Sequence, residues 1–111
     1  MNLFLFIDSD TAGASRLLEG AGFSLDERDG SLLARRGDVV AMLYRHSFEN
    51  DLGMAFDLFP MVCKFYWRGG VDTASAARSL FADAKQADLG VMLVEDLEKK
   101  LDEFHPAHRA A

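Results

Sequence analysis

Two carboxylates stand close together near the start of the chain. Asp8 and Asp10 directly follow the apolar run Leu3–Ile7 and are two residues apart. Because alternate side chains of a strand share a face, both carboxylates could point to one side at the carboxyl end of this strand. Such a pair can do general acid–base chemistry. The same segment, with Ser9 and Thr11, also suits the N-terminal cap of a helix, since these side chains accept hydrogen bonds from the free N–H groups of a first turn.

The apolar strand with Asp8 and Asp10 resembles the first motif of haloacid-dehalogenase-type phosphotransferases, strand-Asp-x-Asp-x-Thr/Val. The run at 91–94, followed by Glu95 and Asp96, resembles the later acidic pair of that superfamily, which helps to hold magnesium. The resemblance implies a Mg-dependent phosphatase with Asp8 as nucleophile and Asp10 as acid/base. It departs at the Thr/Val position, which is an alanine here, and in the middle region, where hairpins replace parallel strands with helical crossovers.

A second resemblance is to the βαβββ half-module of glyoxalase/bleomycin-resistance (vicinal-oxygen-chelate) proteins. It rests on residues 17–23, 29–31 and 36–40, which follow the helix, Gly-Phe, hairpin and strand rhythm of that group over residues 3–45. The His and Glu ligands of those enzymes have no clear counterparts. The resemblance therefore implies a small-molecule binding protein without metal, acting as a homodimer because a half-module completes its cup with another. After the strand at 61–68 the pattern departs, with helices where that module has strands.

The remaining chemistry-bearing residues form no recognisable set. His105 and His108 are three apart, but Pro106 and a terminal position favour a solvated tail, and His46 stands alone at a strand end. No Gly-x-Ser-x-Gly elbow, P-loop or dinucleotide fingerprint is present in the sequence. The single cysteine, Cys63, lies on an apolar strand face and is expected to be a small buried hydrophobe. We therefore expect no catalytic residues, no metal and no cofactor.

An aromatic stretch at residues 54–70 indicates the fold class. From 61 to 68 its residues alternate, and one face is fully apolar: Met61, Cys63, Phe65 and Trp67. This alternation predicts a long strand over a core. Pro60, which lacks an N–H donor, places the first half of that strand at an edge or a bulge.

The other elements follow from caps, glycines and periodicity. Asp29-Gly30 and Arg36-Gly37-Asp38 are tight-turn signals that predict an antiparallel meander. Leu97, Leu101 and Phe104, with Glu95–Lys99 and Asp96–Lys100 as i,i+4 pairs, predict a third helix at the end. The predicted elements are strands at 3–7, 23–27, 31–35, 39–45 and 91–94, a long strand whose alternating part is 61–68 and which ends before Gly69, and helices at 11–19, 74–87 and 95–104.

These elements predict an α+β fold, a two-layer sandwich with a mainly antiparallel sheet in the order β-α-β-β-β-β-α-β-α and helices packed on one face. At 111 residues we expect a single domain over 1–104 and a frayed C-terminal tail over 105–111. The net charge of −6 disfavours direct nucleic-acid or membrane binding and permits a basic partner. No run is long enough to span a membrane, the first strand lacks a basic leader, and the lone thiol suits a reducing compartment, so we expect a cytoplasmic protein.

The loop at 46–53 is the candidate binding surface. It combines an aromatic residue with carboxylates, and the expected partner-binding residues are His46, Phe48, Glu49, Asp51 and Asp57. Carboxylates steer a basic partner and pair with its Lys or Arg, while an aromatic ring anchors it. The alternative is an ordinary solvated loop. Size, acidity and the absence of a catalytic set favour a non-catalytic protein-binding module, in its most specific form an immunity protein or antitoxin that occludes the active site of a cognate toxin, expected to be a basic nuclease.

Overall fold

The computed structural model describes residues 2–66 and 72–106, which form a single antiparallel sheet with two helices. This confirms the predicted α+β fold. The strands are β1 (Leu3–Ile7), β2 (Ser24–Arg28), β3 (Ser31–Arg36), β4 (Val39–Arg45), β5 (Met61–Tyr66), β6 (Val91–Glu95) and β7 (Lys99–Phe104). The helices are α1 (Thr11–Gly20) and α2 (Thr73–Gln86), and a short 3₁₀ turn spans Phe56–Leu58.

The sheet has the strand order β2-β3-β4-β5-β1-β6-β7, and every neighbouring pair is antiparallel. Strand β1 is therefore central, and its two neighbours β5 and β6 run parallel to each other with α2 between them in sequence. This is the connectivity of a split β-α-β unit, extended by the β2–β3 hairpin at one edge and by β7 at the other. The positive φ of Asp29 and Gly30 suits the tight turn that joins β2 to β3.

Every residue of β1 is buried, because both faces of the sheet are covered. Leu3, Leu5 and Ile7 face the two helices and join the larger hydrophobic core. Phe4 and Phe6 point the other way, into a second core that contains no helix. The fold thus has one helical layer, as predicted, and a separate covering on the opposite face of the sheet.

Aspartate caps fix where both helices begin. Asp10 Oδ1 accepts a hydrogen bond from the Gly13 amide (2.8 Å) at the start of α1, and Asp72 Oδ1 accepts one from the Ser75 amide (3.3 Å) at the start of α2. The helices then turn small apolar side chains and leucines onto the sheet: Ala14, Leu18, Ala76, Ala77, Leu80, Phe81 and Ala84.

The predicted third helix at 95–104 is wrong, because these residues form a turn and strand β7. Asp96 and Leu97 both have positive φ (52° and 58°), which no α-helix contains, and the Glu98 amide donates to the Glu95 carbonyl (3.0 Å). The tertiary reason is that β6 is apolar on both faces from Val91 to Val94 and would otherwise be an exposed edge. Pairing with β7 supplies the missing ladder, and this outweighs the helical spacing of the leucines.

The predicted long strand, whose first half was placed around Pro60, begins later than expected, at Met61. Residues before Met61 include the 3₁₀ turn, in which Phe56 and Phe59 are three apart and both point into the second core. The predicted alternation holds for Met61, Cys63 and Phe65, while 67–70 lie outside the described residues.

The predicted tail begins with two packed residues. His105 Nε2 bonds to Glu103 Oε2 (2.7 Å), and Pro106 is buried. The last five residues, 107–111, are not among those the structure describes.

Replacing Phe6 by Ala should be among the most destabilising changes in the second core. The ring is fully buried, and its removal should lower the free energy of unfolding by about 3–5 kcal/mol. Leu52→Ala is the control, since that side chain is 63% exposed and its loss should change stability by less than about 0.5 kcal/mol. Urea unfolding followed by circular dichroism measures both. Equal effects for the two variants would contradict the description of this core.

Candidate functional site

The segment from 46 to 60, which we call the 46–60 loop, covers the sheet face opposite the helices. It contributes Met54, Phe56 and Phe59 to the second core as buried side chains. The sheet supplies the other buried members: Phe4, Phe6, Val62, Met92 and Val94. Tyr44, Phe48 and Leu97 pack at its margin. A loop without regular strands is thus held as firmly as an element of the fold.

Phe6 is at the centre of the ring contacts that hold the loop. Its ring centroid is 4.8 Å from that of Phe56, 5.0 Å from the His46 imidazole and 6.1 Å from Phe48. The His46 and Phe48 rings also stack on each other at 5.0 Å. Edge-to-face and offset arrangements at these distances stabilise aromatic pairs beyond the burial of their area.

His46 ties the two ends of the loop together through both ring nitrogens. The Phe48 amide donates to Nδ1 (3.0 Å), and Nε2 lies against the Phe59 carbonyl oxygen. A backbone amide can only donate, so Nδ1 is an acceptor and the proton of the neutral ring is on Nε2, from which it is donated to Phe59. The predicted partner-binding histidine is therefore a structural latch.

The surroundings of His46 favour this neutral form. Burial lowers the pKa of the imidazole below its ordinary value of 6.5, although hydrogen bonding with the Phe59 and Phe56 carbonyls acts in the opposite direction. Protonation would place a hydrogen on Nδ1 and remove the acceptor of the Phe48 amide. The latch therefore needs a neutral ring.

A tight turn at Asp51 to Met54 forms the tip of the loop. The Met54 amide donates to the Asp51 carbonyl (2.8 Å), and the Asp51 amide donates to the Met54 carbonyl (3.3 Å). Leu52 and Gly53 both have positive φ, 51° and 75°, as in a type I′ turn. Such a conformation is strained for a leucine, and strained residues occur at binding sites more often than elsewhere.

Side-chain caps hold this turn and the segment that follows it. Asp51 Oδ1 accepts from the Leu52 amide (2.8 Å), and Asn50 Oδ1 accepts from the Asp57 amide (3.1 Å). Beside the turn lies a shallow cavity of about 320 Å³, lined by Asn50, Asp51, Gly53, Met54 and Ala55. These hydrogen bonds give the tip a defined backbone conformation.

Five of the exposed side chains of the 46–60 loop, which we call the acidic tip, are charged or apolar: Glu49, Asp51, Leu52, Asp57 and Leu58. The two leucines are 63% and 41% exposed, and only Tyr66 joins them among the exposed large apolar residues that the structure describes. The same loop therefore exposes two large apolar side chains and three carboxylates.

The five residues predicted to bind a partner separate into two groups. Glu49, Asp51 and Asp57 are on the outer surface, whereas His46 and Phe48 are partly buried and hold the loop. Leu52 and Leu58 were not predicted. The Asp-Leu-Gly order around Leu52 is not a signal for its exposure, since the same order at 88–90 places Leu89 against the larger core.

The two halves of the phosphatase-like motif do not meet. Asp8 follows the end of β1 beside Gly90, where its amide donates to the Gly90 carbonyl (2.8 Å). Glu95 pairs with Leu3 at the opposite end of β1, because β1 and β6 are antiparallel. The parallel sheet that this resemblance implies is therefore absent from the described strands, and Asp10 acts as a helix cap.

The glyoxalase-like interpretation meets a different obstacle. Strand β5 lies between β1 and β4, and the central strands are covered on both faces by helices or by the 46–60 loop. An open groove of about 510 Å³ lies instead between α1 and α2, lined by Ser9, Asp10, Gly13, Arg16, Leu17, Gly20, Asp83, Ala87 and Leu89.

Other groups that could do chemistry are committed to the structure. Cys63 is fully buried, which raises the pKa of its thiol far above the ordinary value. Within 2–66 and 72–106, no cluster of three or more His, Cys, Asp or Glu side chains could hold a metal ion. His105 is paired with Glu103, and His108 lies outside the described residues.

No family model matches the chain, and neither does any curated protein or solved structure. Among the described residues, no helix is long and apolar enough to cross a membrane.

The latch predicts a pH dependence that belongs to His46. Because the pKa is lower in the folded than in the unfolded state, the contribution of the neutral ring to stability is fully present above pH 6.5 and declines as the pH falls below that value. We expect the difference in unfolding free energy between the wild type and His46→Gln to shrink between pH 8 and pH 5, as measured by urea unfolding. A difference that stays constant over this range would exclude the latch.

Proposed function

We propose that this chain is a non-catalytic protein-binding module whose acidic tip recognises a basic partner protein. The single observation that carries the proposal is that a loop fixed by buried rings presents three carboxylates and two exposed leucines on its outer side. Single exposed apolar residues are ordinary. A strained leucine at a tight turn, with a second leucine nearby on the same loop, is more specific.

The two kinds of side chain have different roles in recognition. Glu49, Asp51 and Asp57 raise the rate of encounter with a basic surface and fix its orientation. Leu52 and Leu58 supply affinity, since full burial of a leucine contributes about 1.5–3 kcal/mol. Because the loop is already ordered, little conformational entropy is lost when the partner binds.

In its most specific form, we propose that the chain is an immunity protein or antitoxin. Its acidic tip would enter the active-site cleft of a cognate toxin domain, where carboxylates can take the place of substrate phosphates in a basic nuclease. The net charge of −6 supports a basic partner. The lone, buried Cys63 needs no oxidising compartment, and we propose a cytoplasmic location.

The binding site can be tested with the product of the neighbouring open reading frame, coexpressed to isolate a 1:1 complex. We expect the triple variant Glu49→Lys, Asp51→Asn and Asp57→Lys to weaken the complex at least about 100-fold in calorimetric titration, because it reverses the local charge and keeps the oxygen that caps Leu52.

A matched control changes the charge by the same amount elsewhere. Glu19→Lys, Asp26→Asn and Glu27→Lys are exposed on α1 and β2, and this variant should bind within about threefold of the wild type. Equal losses in both variants would show that net charge alone matters and would remove the acidic tip as the site. The absence of any complex would count against the immunity function itself.

A further inference from the structure

Strands β2 and β7 are the two edges of the sheet. An edge strand presents N–H and C=O groups to which another strand can add. The two edge strands differ in the charges that face each other when two copies of the same strand pair. This difference follows from the order of the charged residues in each strand.

The charges of β7 are divided between its two ends. It reads Lys-Lys-Leu-Asp-Glu-Phe over Lys99–Phe104, so its first half is basic and its second half is acidic. When two copies of such a strand pair in the antiparallel direction, the basic half of each lies opposite the acidic half of the other. When a two-fold axis relates the copies, both use the same surface, so each contact between a basic and an acidic half occurs twice.

A bulge in β7 fixes which charges share a face of the sheet. Leu93 pairs with Asp102 and Val94 pairs with Lys100, which leaves Leu101 as an extra residue. Because of this extra residue, Lys100 and Glu103 lie on the same face although they are three apart. Their side chains are in contact, with Nζ 2.7 Å from Oε1.

The bulge therefore selects a register for self-pairing. A two-fold axis perpendicular to the sheet keeps each face on its own side, so paired residues must come from the same face. Lys100 then lies opposite Glu103 of the second copy, and this pair occurs twice. Lys99 comes diagonally next to Asp102 of the second copy, within reach of a long side chain.

The acidic end of β7 already has a local hydrogen bond that a second strand can replace. The Glu103 amide donates to the side-chain oxygen Oδ1 of Asp102 in the same strand (2.9 Å). A carbonyl of a second strand can take the place of this acceptor. The Glu103 carboxylate also contacts His105, and the contacts with Lys100 and His105 lower its pKa in spite of burial, so it stays ionised near neutral pH.

At the opposite edge, antiparallel self-pairing of β2 (Ser24–Arg28) brings like charges together in both central registers. The two Asp26 carboxylates are directly opposite when the pair is centred on the middle residue, and the two Glu27 carboxylates when it is centred one residue later. Like charges in that position destabilise a strand pair.

We propose that the chain forms a homodimer through β7, which joins the two seven-stranded sheets into one continuous antiparallel sheet. The contact is small and polar, so the dimer is weak, with a dissociation constant on the order of 0.1 mM. The proposal does not depend on the partner-binding function of the acidic tip, which lies on the 46–60 loop.

Charge reversal tests the dimer and its register together. In a homodimer of Lys100→Glu, both contacts between positions 100 and 103 join two carboxylates, and in a homodimer of Glu103→Lys both join two lysines. Each variant alone should therefore dimerise at least about tenfold more weakly than the wild type. An equimolar mixture of the two variants restores both attractive contacts and should form a heterodimer of wild-type affinity. Sedimentation equilibrium from about 10 μM to 1 mM covers the expected range.

The control variants are Glu27→Lys and Arg28→Glu on β2, which should dimerise as the wild type does. Circular dichroism confirms that each variant is folded. A wild type that stays monomeric over the whole range overturns the proposal. So does a dimer that neither β7 variant weakens, or a mixture in which no heterodimer forms.

Discussion

Strand β1 has large apolar side chains on both faces, and the rest of the structure is arranged to cover them. Leu3, Leu5 and Ile7 need one covering, and Phe4 and Phe6 need another. The two helices cover the first face through small residues and leucines packed on the sheet. The 46–60 loop covers the second face, and its aromatic rings contact Phe6. Hydrophobic burial at the centre of the sheet is therefore what orders the loop.

This arrangement connects the core with the surface. The residues of the 46–60 loop that face the sheet hold the loop in place, through the second core and through the two hydrogen bonds of His46. The side chains on the other side of the loop are exposed. Three carboxylates and two leucines are thus presented by a loop whose regular structure is limited to one short 3₁₀ turn. A partner that binds there meets an ordered surface, which is the physical basis of the proposed recognition. Among the described strands, β7 combines a position at the edge of the sheet with self-complementary charges.

Local patterns in the sequence predict most of the fold, since the apolar run of β1, the glycine turns of the meander and the aspartate caps of both helices each depend on residues close together. The wrong third helix involves long-range competition. Leu97, Leu101 and Phe104 have helical spacing, but the apolar edge of β6 needs a partner strand. For the candidate site, the exposed carboxylates were predictable from polarity. The inward orientation of His46 and Phe48 was not, because it depends on Phe6, forty residues earlier in the chain.

The central claim is that the 46–60 loop is pinned to the sheet by the aromatic cluster and the His46 latch. Amide hydrogen exchange followed by NMR at pH 7 tests it most directly. The account predicts that the Phe48 and Phe59 amides, which donate to His46 Nδ1 and to the Phe56 carbonyl, exchange at least about 100-fold more slowly than in an unstructured chain. Substitution of Phe6 by Leu should speed both amides together, while those of α2 change much less. Exchange of both amides at unstructured rates in the wild type would contradict the account.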